Sequence, residues 1–169
     1  MSSLIKICLF VTYFWTFDVQ ARLVVVPVEY QTIESAVLAS LPDDTVLVMP
    51  GQYVESIDLP CRDVRIFGNA LLSNDTNEIS STVWHSLSGQ RHVEGGSCEG
   101  DWNVWLGGIT FNGGSALGEQ PSGGISIDGA DLRIRNCRFD SCYFSDGGAL
   151  YTRSCVTLID GCRLIPKLH

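Results

Sequence analysis

Residues 123–164 read GGISIDGADLRIRNCRFDSCYFSDGGALYTRSCVTLIDGCRL, and this stretch holds two copies of one unit. Residues 123–127 are echoed by residues 147–151 at a spacing of 24, and residues 136–139 by residues 161–164 at a spacing of 25. The two spacings predict one inserted residue between the start and the end of the unit. A repeat with a period of this length is typical of solenoid architectures.

Each copy contains two or three short apolar runs separated by Gly, Asn or Asp, which predicts strands rather than a pair of helices. Coiling such units stacks equivalent strands in parallel at about 4.8 Å. This arrangement places Cys137 over Cys162 and Phe139 over Leu164. Because side chains alternate between the two faces of a strand, one set points inward and the other outward. The predicted inward residues are Leu132, Ile134, Cys137 and Phe139, and the outward ones are Arg133, Arg135 and Arg138.

A weaker copy of the unit precedes these two, at residues 104–111. Alternating apolar and polar residues predict one face in which five strands stack in parallel. These strands are predicted at 46–49, 64–67, 104–106, 132–135 and 156–159. A further strand is expected at 53–57. The zone from about 70 to 100 is polar and irregular, and residues 82–84 form its only strand-like run.

The segment before the first of these strands predicts an N-terminal cap. Residues 23–27 read as a strand, and Thr32 is a plausible N-cap for a short helix that Pro42 stops. A stack of parallel strands has an open end that needs cover, and an amphipathic helix can supply it. Its predicted apolar face consists of Ile33, Ala36, Val37 and Leu41.

The first 21 residues are typical of a signal peptide. Lys6 is followed by the apolar run 7–17, and residues 19–21 resemble a small-x-small cleavage site, so cleavage is expected before Arg22. The run is shorter than the roughly 20 apolar residues that span a bilayer. We therefore expect a secreted or cell-surface protein without a membrane span after cleavage, while an uncleaved N-terminal anchor stays an alternative.

Seven cysteines are many for 169 residues. Cleavage would remove Cys8 and leave an even number, which an exported chain can use for disulfides. The sequence does not fix the pairing. It leaves equally open that Cys137 and Cys162 are small buried apolar residues.

The amino-acid composition limits the kinds of molecule that the protein is expected to bind. The formal net charge is −8 at a pI of about 4.7, which argues against nucleic acid, because phosphate binding needs a basic face. Zinc-like Cys/His spacing and phosphate-binding glycine motifs are absent, so no metal and no cofactor is predicted.

Residues 30–36 and 44–53 resemble the N-terminal cap and first coil of pectin-lyase-like proteins. The Gly-Gly-Ile and Asn-Cys-Arg-Phe units resemble the coil repeats of the same superfamily, including its polymorphic outer-membrane and adhesin-like members. The resemblance covers nearly everything after residue 22 except the middle zone. It implies an all-β fold, a right-handed parallel β-helix (a solenoid) with a short N-terminal amphipathic capping helix. Because this fold hosts lyases, hydrolases, esterases and adhesins, the resemblance does not fix an activity.

Motifs of the superfamily's enzymes are absent. The catalytic patterns of pectin methylesterases and polygalacturonases do not occur, and residues 163–169 have the wrong spacing for the pectate-lyase motif Arg-x-Pro-x-x-Arg. About five coils fit after residue 45, and no second amphipathic segment follows them. We therefore expect one domain over 22–169 that is truncated at its C-terminus or self-associates there.

Two functions stay open. The first is a non-catalytic secreted or surface β-helix that binds carbohydrate or acts in adhesion. The second is the N-terminal part of a carbohydrate-active enzyme (a polysaccharide lyase, pectinesterase or glycoside hydrolase) whose catalytic coils lie beyond residue 169. The missing motifs favour the first.

Aligned repeats predict two outward columns that could bind an acidic polysaccharide or a cell-surface glycan. Guanidinium groups recognise carboxylates through paired hydrogen bonds, and an indole ring can stack on a sugar. Like charges at strand spacing repel, so interleaved carboxylates are expected, with Asp140 and Asp160 as candidates. The simpler alternative is a solvated face of ordinary Arg/Asp pairs. One column consists of Arg65, Trp105 and Arg133, and the other of Arg138 and Arg163.

Other candidates are weaker. Two carboxylates about 5–9.5 Å apart can act as acid and base, and Asp128 with Asp131, or Asp140 with Asp146, could lie at a coil corner. Asp is commoner there as a turn residue. His85 and His92 are interpreted as loop residues. Residues 74–76 match an N-glycosylation sequon, which makes Asn74 a candidate acceptor.

Overall fold

The computed structural model describes residues 20–73, 75–96, 98–114, 124–142 and 148–165. They form two short helices, α1 (Ile33–Ala39) and α2 (Ala70–Ser73), a 3-10 helix (Thr76–Ser81), and fifteen strands. The strands in chain order are β1 (Leu23–Val26), β2 (Thr45–Val48), β3 (Gly51–Val54), β4 (Ile57–Asp58), β5 (Val64–Gly68), β6 (Thr82–His85), β7 (Val93–Gly95), β8 (Asn103–Gly107), β9 (Thr110–Asn112), β10 (Ile125–Asp128), β11 (Asp131–Arg135), β12 (Arg138–Asp140), β13 (Leu150–Arg153), β14 (Thr157–Asp160) and β15 (Arg163–Ile165).

The strands form three open parallel sheets. Their orders are β1-β2-β5-β8-β11-β14, β3-β6-β9-β12-β15 and β4-β7-β10-β13. From β2 onward, successive strands enter different sheets, and every third strand returns to the same one. The predicted parallel stacking of five strands on one face is confirmed by the six-stranded sheet, with β1 as an additional member.

The pairing register agrees with most of the predicted repeat. Phe139 lies opposite Leu164, as expected. The spacing of 24 at the start of the unit is wrong, because Ile125 pairs with Leu150, 25 residues later. A side chain at Gly124 would place its Cβ 2.2 Å from the carbonyl oxygen of Ala149. The close approach of the two segments that lead into β10 and β13 therefore requires glycine.

Inward side chains of the three sheets form one apolar core. The predicted inward set is confirmed, since Leu132, Ile134, Cys137 and Phe139 are all buried. Aromatic rings stack on each other across the neighbouring strands β6, β9 and β12, with centroid distances of 5.5 Å from Trp84 to Phe111 and 5.1 Å from Phe111 to Phe139. Leu164 is 70% exposed despite its register, because β15 is the last strand of its sheet among the described residues.

Helix α1 packs against β1 and β2, at the end of the six-stranded sheet where a cap is predicted. Thr32 is its N-cap, and the hydroxyl oxygen accepts a hydrogen bond from the Ser35 N–H at 3.1 Å. Ile33, Ala36 and Val37 are buried as predicted. The prediction for Leu41 is wrong: this side chain is exposed, because the helix ends at Ala39.

Side chains from later in the chain form hydrogen bonds with both ends of α1. The Glu55 carboxylate accepts hydrogen bonds from the N–H groups of Ile33 and Glu34, each at 2.9 Å. Arg62 donates to the carbonyl oxygen of Val37 at 2.6 Å. A negative group at the first turn and a positive group at the last turn satisfy free backbone groups and suit the helix dipole.

The middle zone is more regular than predicted. Besides β6 it contributes β7, which pairs with β4 and β10, and a disulfide joins Cys61 to Cys98. The single strand predicted at 53–57 is wrong, since β3 and β4 are separated by a corner at Glu55 and Ser56. That corner moves the chain from one sheet to the next.

Candidate surface site on the six-stranded sheet

The predicted column of Arg65, Trp105 and Arg133 lies on the outward face of the six-stranded sheet. Trp105 lies opposite Arg65 on one side and Arg133 on the other. The guanidinium carbon of Arg65 is 4.5 Å from the centre of the indole ring, and that of Arg133 is 5.8 Å from it. Both distances are within the range of a cation–π interaction.

The two arginines differ in their other partners. Arg65 donates to the Asp43 carboxylate at 2.9 Å and is largely covered. Arg133 is exposed, and it has no carboxylate partner among the described residues. Sequence reasoning missed Asp43, although a register that includes Thr45 and Arg65 would have placed it beside this column. The site thus presents one neutralised guanidinium group and one that faces solvent.

The second predicted column, Arg138 and Arg163, is present in the structure, and the Asp140 carboxylate lies next to it. Arg138 lies opposite Arg163 in the five-stranded sheet. Arg138 pairs with Asp140 of its own strand at 2.8 Å, while Arg163 is exposed. Asp160 lies instead beside Arg135, 3.5 Å away, on the six-stranded sheet. Of the two predicted carboxylates, only Asp140 belongs to this column.

Two of the aspartates predicted as possible acid/base residues, Asp128 and Asp131, accept hydrogen bonds in the structure. Asp128 accepts hydrogen bonds from Arg153, and these bonds lower the pKa of the carboxyl below its usual value. Asp131 accepts from the N–H of Val156 at 2.9 Å. Asp146 lies outside the described residues. An Asp with a lowered pKa is ionised at neutral pH, whereas a general acid needs a raised pKa.

The interpretation of His85 as a loop residue is wrong, whereas His92 lies outside the strands as predicted but is buried. His85 ends β6, and its Nε2 lies 2.5 Å from the side-chain oxygen of Gln52. His92 directly precedes β7 and is completely buried. Its ring packs edge-on against Phe111 at 5.4 Å, and its Nε2 lies 3.1 Å from the carbonyl oxygen of Asn112. Burial lowers the pKa of His92 to about 4, so the ring is neutral in the folded protein.

Asn74, the predicted glycosylation site, lies outside the described residues. Within the part of the chain that the structure describes, no group of three or more His, Cys, Asp or Glu residues could hold a metal ion. No helix among the same residues has the length and apolar character needed to cross a membrane. Comparisons with protein-family models, curated proteins and solved structures find no match for this chain.

Proposed function

We propose that this protein is a non-catalytic secreted or cell-surface domain that binds an acidic polysaccharide. The observation that carries the proposal is the outward column of Arg65, Trp105 and Arg133. A carboxylate-bearing sugar polymer is the partner whose chemistry matches guanidinium groups on an exposed sheet face.

The three parallel sheets belong, in this proposal, to one right-handed β-helix of the pectin-lyase-like type. The regular passage of successive strands through the three sheets supports it. So does the shared inward core, in which rings from successive coils stack on each other. In such a helix the outward residues of one sheet form a long flat surface, which suits an extended polymer.

The guanidinium groups, rather than the indole ring, are proposed to bind the ligand. Arg65 and Arg133 come from strands on opposite sides of β8, and both approach the ring. Their position leaves little of the ring for stacking on a sugar. Trp105 instead restrains the two guanidinium groups through its contacts with them, which lowers the conformational entropy that a ligand would otherwise have to remove.

The positive charge of Arg133 contrasts with the negative net charge of the protein. The protein carries a net charge of −8, so acidic polymers are repelled by most of its surface. Arg133 is exposed without a carboxylate partner among the described residues, and a ligand carboxylate would supply that partner. Because the contact is exposed, the proposed binding is weak and decreases with salt.

An extracellular location is part of the proposal. The Cys61–Cys98 disulfide supports it, since disulfides persist in oxidising compartments. The expected cleavage before Arg22 would leave the mature chain starting one residue ahead of β1. N-terminal sequencing of secreted protein tests this step, and a chain that begins at Met1 would contradict it.

The test of the proposed function compares polymers whose carboxyl groups are charged or neutral. The full chain is titrated with polygalacturonate and with the same polymer after methyl esterification. We expect binding to polygalacturonate that weakens between low salt and 0.15 M salt, weaker binding to the ester, and no release of reducing ends, unsaturated product or acid. Equal binding to both polymers, or turnover above that of heat-killed protein, would contradict the proposal.

A further inference from the structure

Two thiols lie directly above one another at the same corner of successive coils. In the register of the neighbouring strands, Arg135 lies opposite Asp160 and Arg138 lies opposite Arg163. The two cysteines lie between these positions, so Cys137 is opposite Cys162. The N–H of Cys137 points at the sulfur of Cys162 at 3.5 Å. Both residues are free cysteines.

The residue before each cysteine has the same backbone conformation. Asn136 and Gly161 both adopt left-handed conformations, with φ of 51° and 61°. A Cβ on Gly161 would lie 2.2 Å from the side-chain oxygen of Asn136, so the two turns are in close contact. Equivalent strands of neighbouring coils are about 4.8 Å apart. A disulfide requires Cα atoms about 4.4–6.8 Å apart, so no large backbone movement is needed to join the pair.

The two thiols have different environments. Cys137 is buried in the core, and this burial raises the pKa of its thiol. Cys162 is partly exposed, and a hydrogen bond from Cys137 lowers its pKa to about 7. One sulfur is therefore accessible and partly ionised near neutral pH, while the other is shielded behind it. An accessible thiolate beside a second thiol is the arrangement found in thiol–disulfide exchange.

We propose that Cys137 and Cys162 form a thiol–disulfide exchange site that takes small-molecule disulfides of the glutathione type and closes into a bond between two successive coils. Cys162 attacks one sulfur of the small disulfide, which forms a mixed disulfide and releases one small thiolate. The Cys137 sulfur then attacks the Cys162 sulfur and its proton passes to the leaving sulfur, which releases the second small thiol. The two protein thiols are oxidised, and one small disulfide is reduced to two thiols.

The position of the pair gives the bond a structural consequence. Cys162 lies between β14 and β15, which are the last strands of their sheets among the described residues. Several apolar side chains there are exposed, including Ile159 and Leu164. A bond to Cys137 would tie this outermost coil to the buried coil beneath it. Oxidation is expected to raise the melting temperature by about 5 °C, since such links restrict the unfolded chain.

The experiment maps disulfides in the full chain after incubation with glutathione disulfide at neutral pH. Non-reducing peptide mass analysis should find a Cys137–Cys162 linked pair beside Cys61–Cys98. The variant Cys137→Ser should instead accumulate a glutathione adduct on Cys162, because the second step is missing. The variant Cys162→Ser should leave Cys137 as a thiol. Cys155→Ser is the matched control and should still form the linked pair.

Other results would overturn the proposal. These are a stable glutathione adduct on Cys162 of the unsubstituted protein, a link from either residue to a different cysteine, or loss of the linked pair in Cys155→Ser. Cys142 is not expected to compete, because burial raises the pKa of its thiol to about 12. The map of the unsubstituted protein decides the matter even if Cys137→Ser fails to fold.

Discussion

The guanidinium group of Arg65 lies over the indole ring of Trp105, 4.5 Å from the ring centre. The two residues come from neighbouring parallel strands and are 40 positions apart in sequence. The contact depends on the register of β5 with β8, since a shift by one residue would send one side chain into the core. It therefore reports both on the register of the fold and on the geometry of the proposed binding column.

Arg65 and Trp105 are expected to stabilise the folded state jointly. In a double-mutant cycle with Arg65→Gln and Trp105→Leu, we predict a coupling energy of about 0.5–1 kcal/mol, the value usual for a cation–π pair near the surface. Denaturant titration of the four proteins measures it. Additive effects of the two substitutions would contradict the contact. Thr45, which the register places beside Arg65, offers Thr45→Ser as a neutral control.

Phe139 is predicted to be a major core residue. It is 4% exposed and its ring stacks on Phe111, so Phe139→Ala should lower the free energy of unfolding by about 3–5 kcal/mol. Leu164 is its partner in the register but is exposed, and Leu164→Ala should cost less than about 1 kcal/mol. Urea titrations of both variants test the pair. Similar losses would mean that the inward core continues through β15.

The fold could be predicted from the sequence to the extent that it repeats. The alternation around Leu132 and Ile134, together with the glycine and asparagine corners, specified both the parallel stack and the inward set. The pairing of Cys61 with Cys98 could not be predicted, because it depends on the path of a zone without repeats. The burial of His92 was missed for the same reason.

His92 should make stability depend on pH. Its pKa of about 4 in the folded protein is below the value of 6.5 expected for the unfolded chain. The unfolded state therefore binds the proton first, and the stabilisation is complete above about pH 6.5 and lost as the pH falls toward 4. The loss is about 3 kcal/mol. We expect His92→Leu to show a shallower decline over this range in parallel urea titrations, and identical slopes would contradict the neutral buried ring.

Asp44 is predicted to hold the start of β1 in place. Burial alone would raise its pKa, but hydrogen bonds from the N–H groups of Leu41 and Arg22 and from the Arg22 side chain outweigh it and lower the pKa. The stabilisation is thus present above the ordinary value of 3.8 and is lost as the pH falls through the lower folded value. Asp44→Asn should cost about 2 kcal/mol at pH 7.

The neighbouring Asp43 provides the control for this prediction. It is exposed and pairs with Arg65, so Asp43→Asn should change the free energy of unfolding by less than about 0.5 kcal/mol. Thermal or urea unfolding at pH 7 compares the two variants. Equal effects would mean that the buried hydrogen bonds of Asp44 contribute nothing specific.

The candidate site was predictable in its positions but not in its chemistry. Alignment of the repeats placed Trp105 between two arginines, because outward residues of equivalent strands fall into columns. It could not show that Asp43 neutralises Arg65 while Arg133 faces solvent, since these pairings depend on side-chain conformations at a coil corner. The sequence also does not show that both guanidinium groups approach the indole ring, on which sugar stacking is predicted.

Binding of acidic polysaccharide to the exposed guanidinium group of Arg133 is measured by the affinity of Arg133→Gln for polygalacturonate. Arg153→Gln is the control, because it removes the same charge from an exposed arginine of a different sheet. At low salt we predict that Arg133→Gln raises the Kd about fivefold, which corresponds to one exposed ion pair of about 1 kcal/mol. Arg153→Gln should leave the Kd within about twofold of the unsubstituted protein, since the lost charge and the freed Asp128 carboxylate both lie on a different sheet from the column. Equal effects of the two substitutions, or no effect of Arg133→Gln, would contradict the account.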